Sequence, residues 1–296
     1  MTVAPADVDH DAAPFETIDW LLIVATAGIW GASFLFIAIG LDAFEPGLVT
    51  LLRVGFGAAT VSAFPAARAR IERADRPRII LLGFLWMAFP LTLFPLAQQW
   101  IDSSLTGMLN SAMPLMTVLV SWLVFSTPTG PRRLLGVAIG FVGILIIGIP
   151  EASTAGTSAA GVVMVVVAVT SYGFAVNIAG PLQRKYGSLP VTARALTVAS
   201  VMVVPFGLID GVDSTFEWGP LIACIALGVG GTGFAFVFAA TLAGRVGPVR
   251  TSIITYVLPM FAISLGVIFR DETVTALSLV GTCVVLSGAW MSSRVD

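Results

Sequence analysis

Gly161-Val-Val-Met-Val-Val-Val-Ala-Val169 is an unbroken apolar run in which no polar residue alternates with an apolar one. Inside a bilayer only helices and closed barrels satisfy every backbone polar group. A barrel strand alternates apolar and polar residues over a short segment, so this run decides for helix. Its valines are no objection, because lipid forces hydrogen bonding within the segment whatever the propensities in water.

The rest of the chain has the same character. Of 296 residues, 57% are hydrophobic and 11% charged, against about a quarter charged in a soluble domain. A helix needs roughly 20 apolar residues to cross the hydrocarbon layer. Ten segments qualify: 20–40, 46–65, 79–99, 103–125, 132–150, 160–181, 190–209, 218–242, 248–269 and 273–291. Residues 1–19 are polar and acidic and hold the sole histidine, His10. They lack the basic start and cleavage site of a signal peptide and read as a disordered cytoplasmic tail. Cys224 and Cys283 fall inside apolar segments, as small packing residues would; neither a disulfide framework nor a metal site is indicated.

The basic residues orient the chain. With the N-terminus in the cytoplasm, inside connections hold Arg68, Arg70, Arg73, Arg76, Arg78, Arg132, Arg133, Arg184, Lys185, Arg245, Arg250 and Arg294, twelve of the fifteen. Outside connections hold only Arg270, among Asp42, Glu45, Asp102, Glu151, Asp210, Asp213 and Glu217. Such a bias places both termini in the cytoplasm of a multi-pass protein. The expected location is a cell membrane, the inner membrane in a bacterium. The basic loop 66–78 also suits anionic lipid; nucleic acid is not an expected partner.

Two stretches superpose without a gap, 145 positions apart. Thr106-Gly-Met-Leu-Asn110, Met113-Pro114, Gly136 and Gly143 match Thr251-Ser-Ile-Ile-Thr255, Leu258-Pro259, Gly281 and Gly288. With small shifts, Trp30-Gly31 aligns with Tyr172-Gly173, and Pro46 and Arg53 align with Pro190 and Arg194. The chain divides into five-helix halves, 20–150 and 160–291. Five is odd, so the second half enters the membrane from the opposite side. Inverted repeats are a plan of secondary transporters, with the substrate site near the midplane between halves. The fold class is therefore all-α integral membrane, ten transmembrane helices as two inverted five-helix repeats.

Trp30-Gly31-Ala32-Ser33-Phe34, Leu51-Leu52-Arg53-Val54-Gly55-Phe56, Met113-Pro114-Leu115 and Leu258-Pro259-Met260 resemble an EamA-type half of the drug/metabolite transporter superfamily. Asp271-Glu272-Thr273-Val274 leading to Gly281 and Gly288 resembles the acidic turn that closes such a half. The resemblance covers nearly all of 20–291. It implies a ten-helix carrier, often an exporter of amino acids or related metabolites. One departure stands out: Ser126-Thr127-Pro128-Thr129 occupies the place where the family's first half has its glutamate.

Candidate substrate-binding residues follow from what the hydrocarbon tolerates. Arg53 lies about seven residues into its segment; it suits a substrate carboxylate or a brace for helix-end carbonyls. Arg194 is shallower and within reach of the interface. Asn110 and Thr255 each precede a proline by four residues, where a freed carbonyl joins the side chain as a ligand group; bonding to a neighbouring helix is the plainer reading. Gln98 and Gln99 follow Pro90 and Pro95 and are read alike. Trp30, Phe34, Phe89, Phe94, Tyr172, Phe234, Phe238 and Tyr256 suit an aromatic wall. Trp20, Trp100, Trp218 and Trp290 fall where interface anchors belong.

No Asp, Glu, His or Lys lies mid-segment, so no proton relay is visible. Glu272 and Asp102, at outer helix ends, are the fallback candidates, although Glu272 also suits a plain helix-opening role. No phosphate-cradling glycine loop, metal cluster or catalytic constellation is present. An enzyme is not expected, nor any cofactor. The sequence points to a secondary carrier of a small molecule; a facilitative channel or an exchanger without ion coupling is the alternative. The Gly136/Gly140 pair suits static packing, homodimerisation or sliding. Cysteines introduced into the 66–78 and 210–217 loops should react with impermeant reagents from opposite sides; labelling from the same side would sink the topology.

Overall fold

Ten apolar segments become ten spans in the computed structural model, which describes residues 15–153 and 157–293. The first two are α1 (Thr17–Gly40) and α2 (Pro46–Ala63). The third joins α3 (Arg76–Leu82) through a π-helical segment, Gly83–Ala88, to α4 (Phe89–Ala97). The fourth is broken, α5 (Ser103–Asn110) meeting α6 (Met113–Leu123) at 40°. Next come α7 (Pro131–Ser153), α8 (Thr157–Tyr186) and α9 (Ser188–Asp213). The eighth joins α10 (Trp218–Ala226) through a second π segment, Leu227–Phe234, to α11 (Ala235–Thr251). The last are α12 (Ile253–Arg270) and α13 (Ala276–Ser293). Among the described residues nine helices are long and apolar enough to cross a membrane, ten with the bent pair as one. The four tryptophans expected at interfaces are 39–70% exposed.

Of the tail read as disordered, residues 1–14 lie outside the described residues. The remainder needs correction. The first helix opens at Thr17 through a capping box between Glu16 and Asp19, and Arg245 pairs with both acids at 2.7 and 2.6 Å. Asp19 is 3% exposed. A charge partner from the eighth span orders what composition alone leaves loose.

The repeat is written into the backbone. Ser126 and Asp271, 145 positions apart, are the described non-glycine residues with positive φ, 52° and 51°. The next N–H in each turn reaches back six residues: Thr127 to the Ser121 carbonyl, Glu272 to the Gly266 carbonyl. The first half keeps the turn although it lacks the glutamate. Packing repeats too. A Cβ on Gly31 would lie 2.5 Å from Phe261 Cβ, and one on Gly173 2.7 Å from the carbonyl oxygen of Met116. Met116 and Phe261 are again 145 apart.

The main helix contacts join the two halves: α1 with α12, α6 with α8, α2 with α9, and α7 with α13. The last pair needs its glycines. A Cβ on Gly288 would lie 2.5 Å from the Gly136 oxygen and the Gly140 nitrogen, and one on Gly143 2.6 Å from the Val285 nitrogen. Of the uses open to Gly136 and Gly140, they serve packing within the chain.

Each π segment exposes backbone carbonyl oxygen. In α geometry a donor reaches back four residues, in π geometry five, so a return from π to α register skips an acceptor. Phe89 N–H bonds the Phe84 carbonyl; Pro90, without an N–H, can serve neither Leu85 five residues back nor Trp86 four back, so Leu85 loses its helix donor. The Ser171 hydroxyl donates to the Leu85 carbonyl at 2.7 Å. In the eighth span Ala235 N–H bonds Gly230, Gly231 is skipped, and Trp30 Nε1 donates to the Gly231 carbonyl at 3.0 Å. Each donor comes from the opposite half. An unpaired buried acceptor costs about 1–3 kcal/mol, so Trp30→Phe and Ser171→Ala should each lower the unfolding temperature in detergent. Unchanged melting in both would show that these carbonyls need no donor.

Candidate functional site

Arg53 sits on α2 against the glycine-rich π segment of the eighth span. A Cβ on Gly228 would lie 3.0 Å from the Arg53 carbonyl oxygen, and one on Gly231 2.5 Å from Ser33 Oγ. These glycines let α1 and α2 press onto the segment. Arg53 is 7% exposed and its Nε donates to Thr232 Oγ1 at 3.1 Å. Its Nη1 is buried without a hydrogen-bond partner. Among the described residues no acid forms an ion pair with it. Trp30 and Arg53 bond adjacent residues, 231 and 232, and so lie at one level.

Two aromatic layers cross this level of the bundle. Phe94 packs edge-on to Phe34 at 5.6 Å and lies 6.1 Å from Tyr172. One turn away on α1, Trp30 meets Phe236 at 5.6 Å, and Phe236 meets Trp86 at 5.4 Å. Spans one, three, six and eight contribute to these layers. The sequence expectation placed Trp30, Phe34, Phe94 and Tyr172 here but omitted Trp86 and Phe236. Trp86 lies eight residues before Phe94, a helical spacing that could have pointed to it, whereas no spacing singles out Phe236 between Phe234 and Phe238.

Other expected residues lie elsewhere. Phe234 and Phe238 are two residues from Phe236, about 200° round a helix; Phe234 is 40% exposed and contacts Phe64 and Phe238 instead. Phe89 stacks on Phe84, itself 42% exposed. Tyr256 donates toward Ser293 at 3.1 Å, at the end of α13. Asn110 is buried as the last residue of α5, at the bend, and Thr255 is half-buried in α12. Asn177, not singled out from sequence, donates to the Gly173 carbonyl and accepts from Ser121, tying the sixth span to the fourth.

Gln98 lines a 350 Å³ cavity at the acidic end of the bundle, with Ala38, Asp42, Gln99 and Arg270. Both its amide atoms are buried and unpartnered. Ala38 and Gln98 each lie four residues beyond Phe34 and Phe94, about 6 Å along their helices. The Phe34–Phe94 pair therefore lies about one helical turn from this cavity.

Polar clasps join the halves at both ends. At the acidic end Arg270 forks onto Asp42 at 2.7 and 2.9 Å. Glu272 accepts from Ser103 N, Ser103 Oγ and Ser104 N at 2.6–2.9 Å, and Asp210 accepts from Gly47 N. At the basic end Lys185 holds Glu72 and Asp75 at 2.8 and 2.9 Å, and Arg245 holds Glu16 and Asp19. Glu272 thus caps α5 of the other half. Among the described residues no group of three or more His, Cys, Asp or Glu could hold a metal.

A model of the EamA-like transporter family matches residues 18–149 and again 159–294. The chain belongs to that family. This EamA-like chain is a multi-pass membrane transporter, as its relatives are named. It is 24% identical to a probable terminal-alkyne amino-acid exporter of Streptantibioticus cattleyicolor over 93% of both chains. It is 23% identical to a probable amino-acid metabolite efflux pump of Salmonella typhimurium, over 93% of this chain and 94% of that one. A crystal structure of another protein shares the fold with a TM-score of 0.64 at 17% identity, over 94% of this chain and 97% of that one.

The Glu272 clasp is testable by itself. Losing a helix cap costs about 0.5–2 kcal/mol, so Glu272→Ala should melt at a lower temperature than wild type in detergent. Glu272→Gln, which keeps one acceptor, should fall between. Equal melting of all three would mean the cap carries no stability.

Proposed function

We propose that this EamA-like transporter exports a small amino-acid-like metabolite, its carboxylate on Arg53 and its side chain between the aromatic layers. The observation that carries the reading is the buried guanidinium with a free Nη1 and no acid paired to it. A charge in that position is costly unless something pairs with it. A carboxylate presents two oxygens to the planar fork, a geometry that lysine does not offer. Thr232 fixes the fork through Nε, and Trp30 and Tyr172 supply apolar surface beside it. The relatives named for amino-acid export and metabolite efflux support the substrate class and direction.

Alternating access follows from where the clasps lie. Each clasp joins one half to the other, so rocking the halves opens one end as the other stays shut. Clasps between the halves at both ends favour a carrier over a channel. The basic end faces the cytoplasm by the positive-inside bias. The buried acids named by exposure, Asp19 and Asp75, sit in basic-end clasps, so substrate exchange without a proton relay is the simplest cycle.

Purified protein in liposomes should show counterflow of labelled amino acids from a panel. The matching amines, which lack the carboxylate, should compete poorly. A charge-assisted hydrogen bond contributes about 1.5–3 kcal/mol, so Arg53→Gln should weaken the uptake affinity roughly 10- to 100-fold. Arg53→Lys should rescue only in part. Amines that compete as well as amino acids, with Arg53→Gln transporting normally while folded, would overturn the assignment.

A further inference from the structure

Arg194, the counterpart of Arg53 in the repeat, has a different setting. It is exposed and lines a 640 Å³ cavity at the basic end, together with Arg70, Arg73 and Arg76. Three of these guanidinium groups come from the loop and helix start of the first half, and the fourth comes from α9 of the second. The loop also contains acids, but they are engaged by other partners. Glu72 and Asp75 hold Lys185, and Asp75 also accepts from Tyr186 at 2.6 Å and pairs with Arg78. The four cavity arginines form no ion pair among the described residues.

The walls below the arginines are apolar. Ile79, Ile80 and Val198 line the same cavity, and Ile80 is 50% exposed. Arg194 lies six residues into α9, about 9 Å along the axis, a depth from which an exposed arginine can reach back to the aqueous face. Cations at the rim and exposed aliphatic surface beneath match a molecule with an anionic head and a hydrocarbon body. A soluble phosphate would use the rim and leave the walls bare.

We propose that this cavity binds an anionic phospholipid, its phosphate among Arg70, Arg73, Arg76 and Arg194 and an acyl chain over Ile80 and Val198. Four cations drawn from two halves favour a headgroup with two phosphates over one. Basic pockets between membrane helices take such headgroups, and each arginine near the surface strengthens binding about fivefold.

The test uses the full chain in an uncharged detergent, titrated with cardiolipin, phosphatidylglycerol, phosphatidylcholine or inorganic pyrophosphate. Native mass spectrometry counts bound lipid and thermal unfolding reads stabilisation. Cardiolipin should bind and raise the melting temperature most, phosphatidylglycerol less, phosphatidylcholine and pyrophosphate little. Arg194→Gln and Arg73→Gln should each weaken cardiolipin binding about fivefold while melting like wild type without lipid. Arg132→Gln, on the same face but outside the cavity, should bind as wild type. Phosphatidylcholine matching cardiolipin would reduce the site to an apolar groove. Pyrophosphate matching it would make the ligand a soluble anion. Either result, or full binding by Arg194→Gln, overturns the proposal. None of these readouts depends on transport or on Arg53.

Discussion

In hydrocarbon a backbone carbonyl without a donor has no water to turn to, and the two π segments of this fold each create such a carbonyl. Each arises where a π segment returns to α register, at Leu85 and Gly231. Each is satisfied from the other half, by Ser171 and by Trp30. The irregular spans therefore hold together only as a pair. The same two segments carry the glycine approach of α2, the Thr232 hydroxyl beneath Arg53, and the helix faces that bear Trp86 and Phe236.

The clasps at the ends follow the same rule of mutual supply, with charge in place of carbonyl. Glu272 of one half caps α5 of the other, and Arg245 of one half completes the capping box that opens α1. Polar groups near the faces can exchange these partners for water when the halves move. Those at the midplane have no such exchange. Mobility is thereby assigned to the ends and constancy to the centre, an arrangement suited to rocking around a fixed site.

Much of this was legible in the sequence. Ten apolar segments, the 145-residue offset and the basic bias need only hydropathy and counting, and they gave the fold. The offset even marks the Ser126 and Asp271 turns, although a glutamate is missing from one of them. Arg53 was visible because a charge within an apolar segment is rare. Phe236 was not, because a π turn rotates a helix face and depends on a donor 201 residues away. Arg194 aligned with Arg53, yet its surroundings come from a loop whose acids are drawn off by Lys185, which no local pattern reveals.

The glycine seam between α7 and α13 has a consequence for biosynthesis. Its two strips, Gly136 to Gly143 and Gly281 to Gly288, are the closing helices of their halves. The fifth span enters the bilayer well over a hundred residues before its partner exists. At about 5–20 residues per second, its small-residue face meets lipid for roughly 7 to 29 seconds. A helix waiting so long with that face bare is open to capture by any other small-residue helix nearby. The tenth span is the one that ends the exposure, so a chain stopped before it should strand the first half as well as the second.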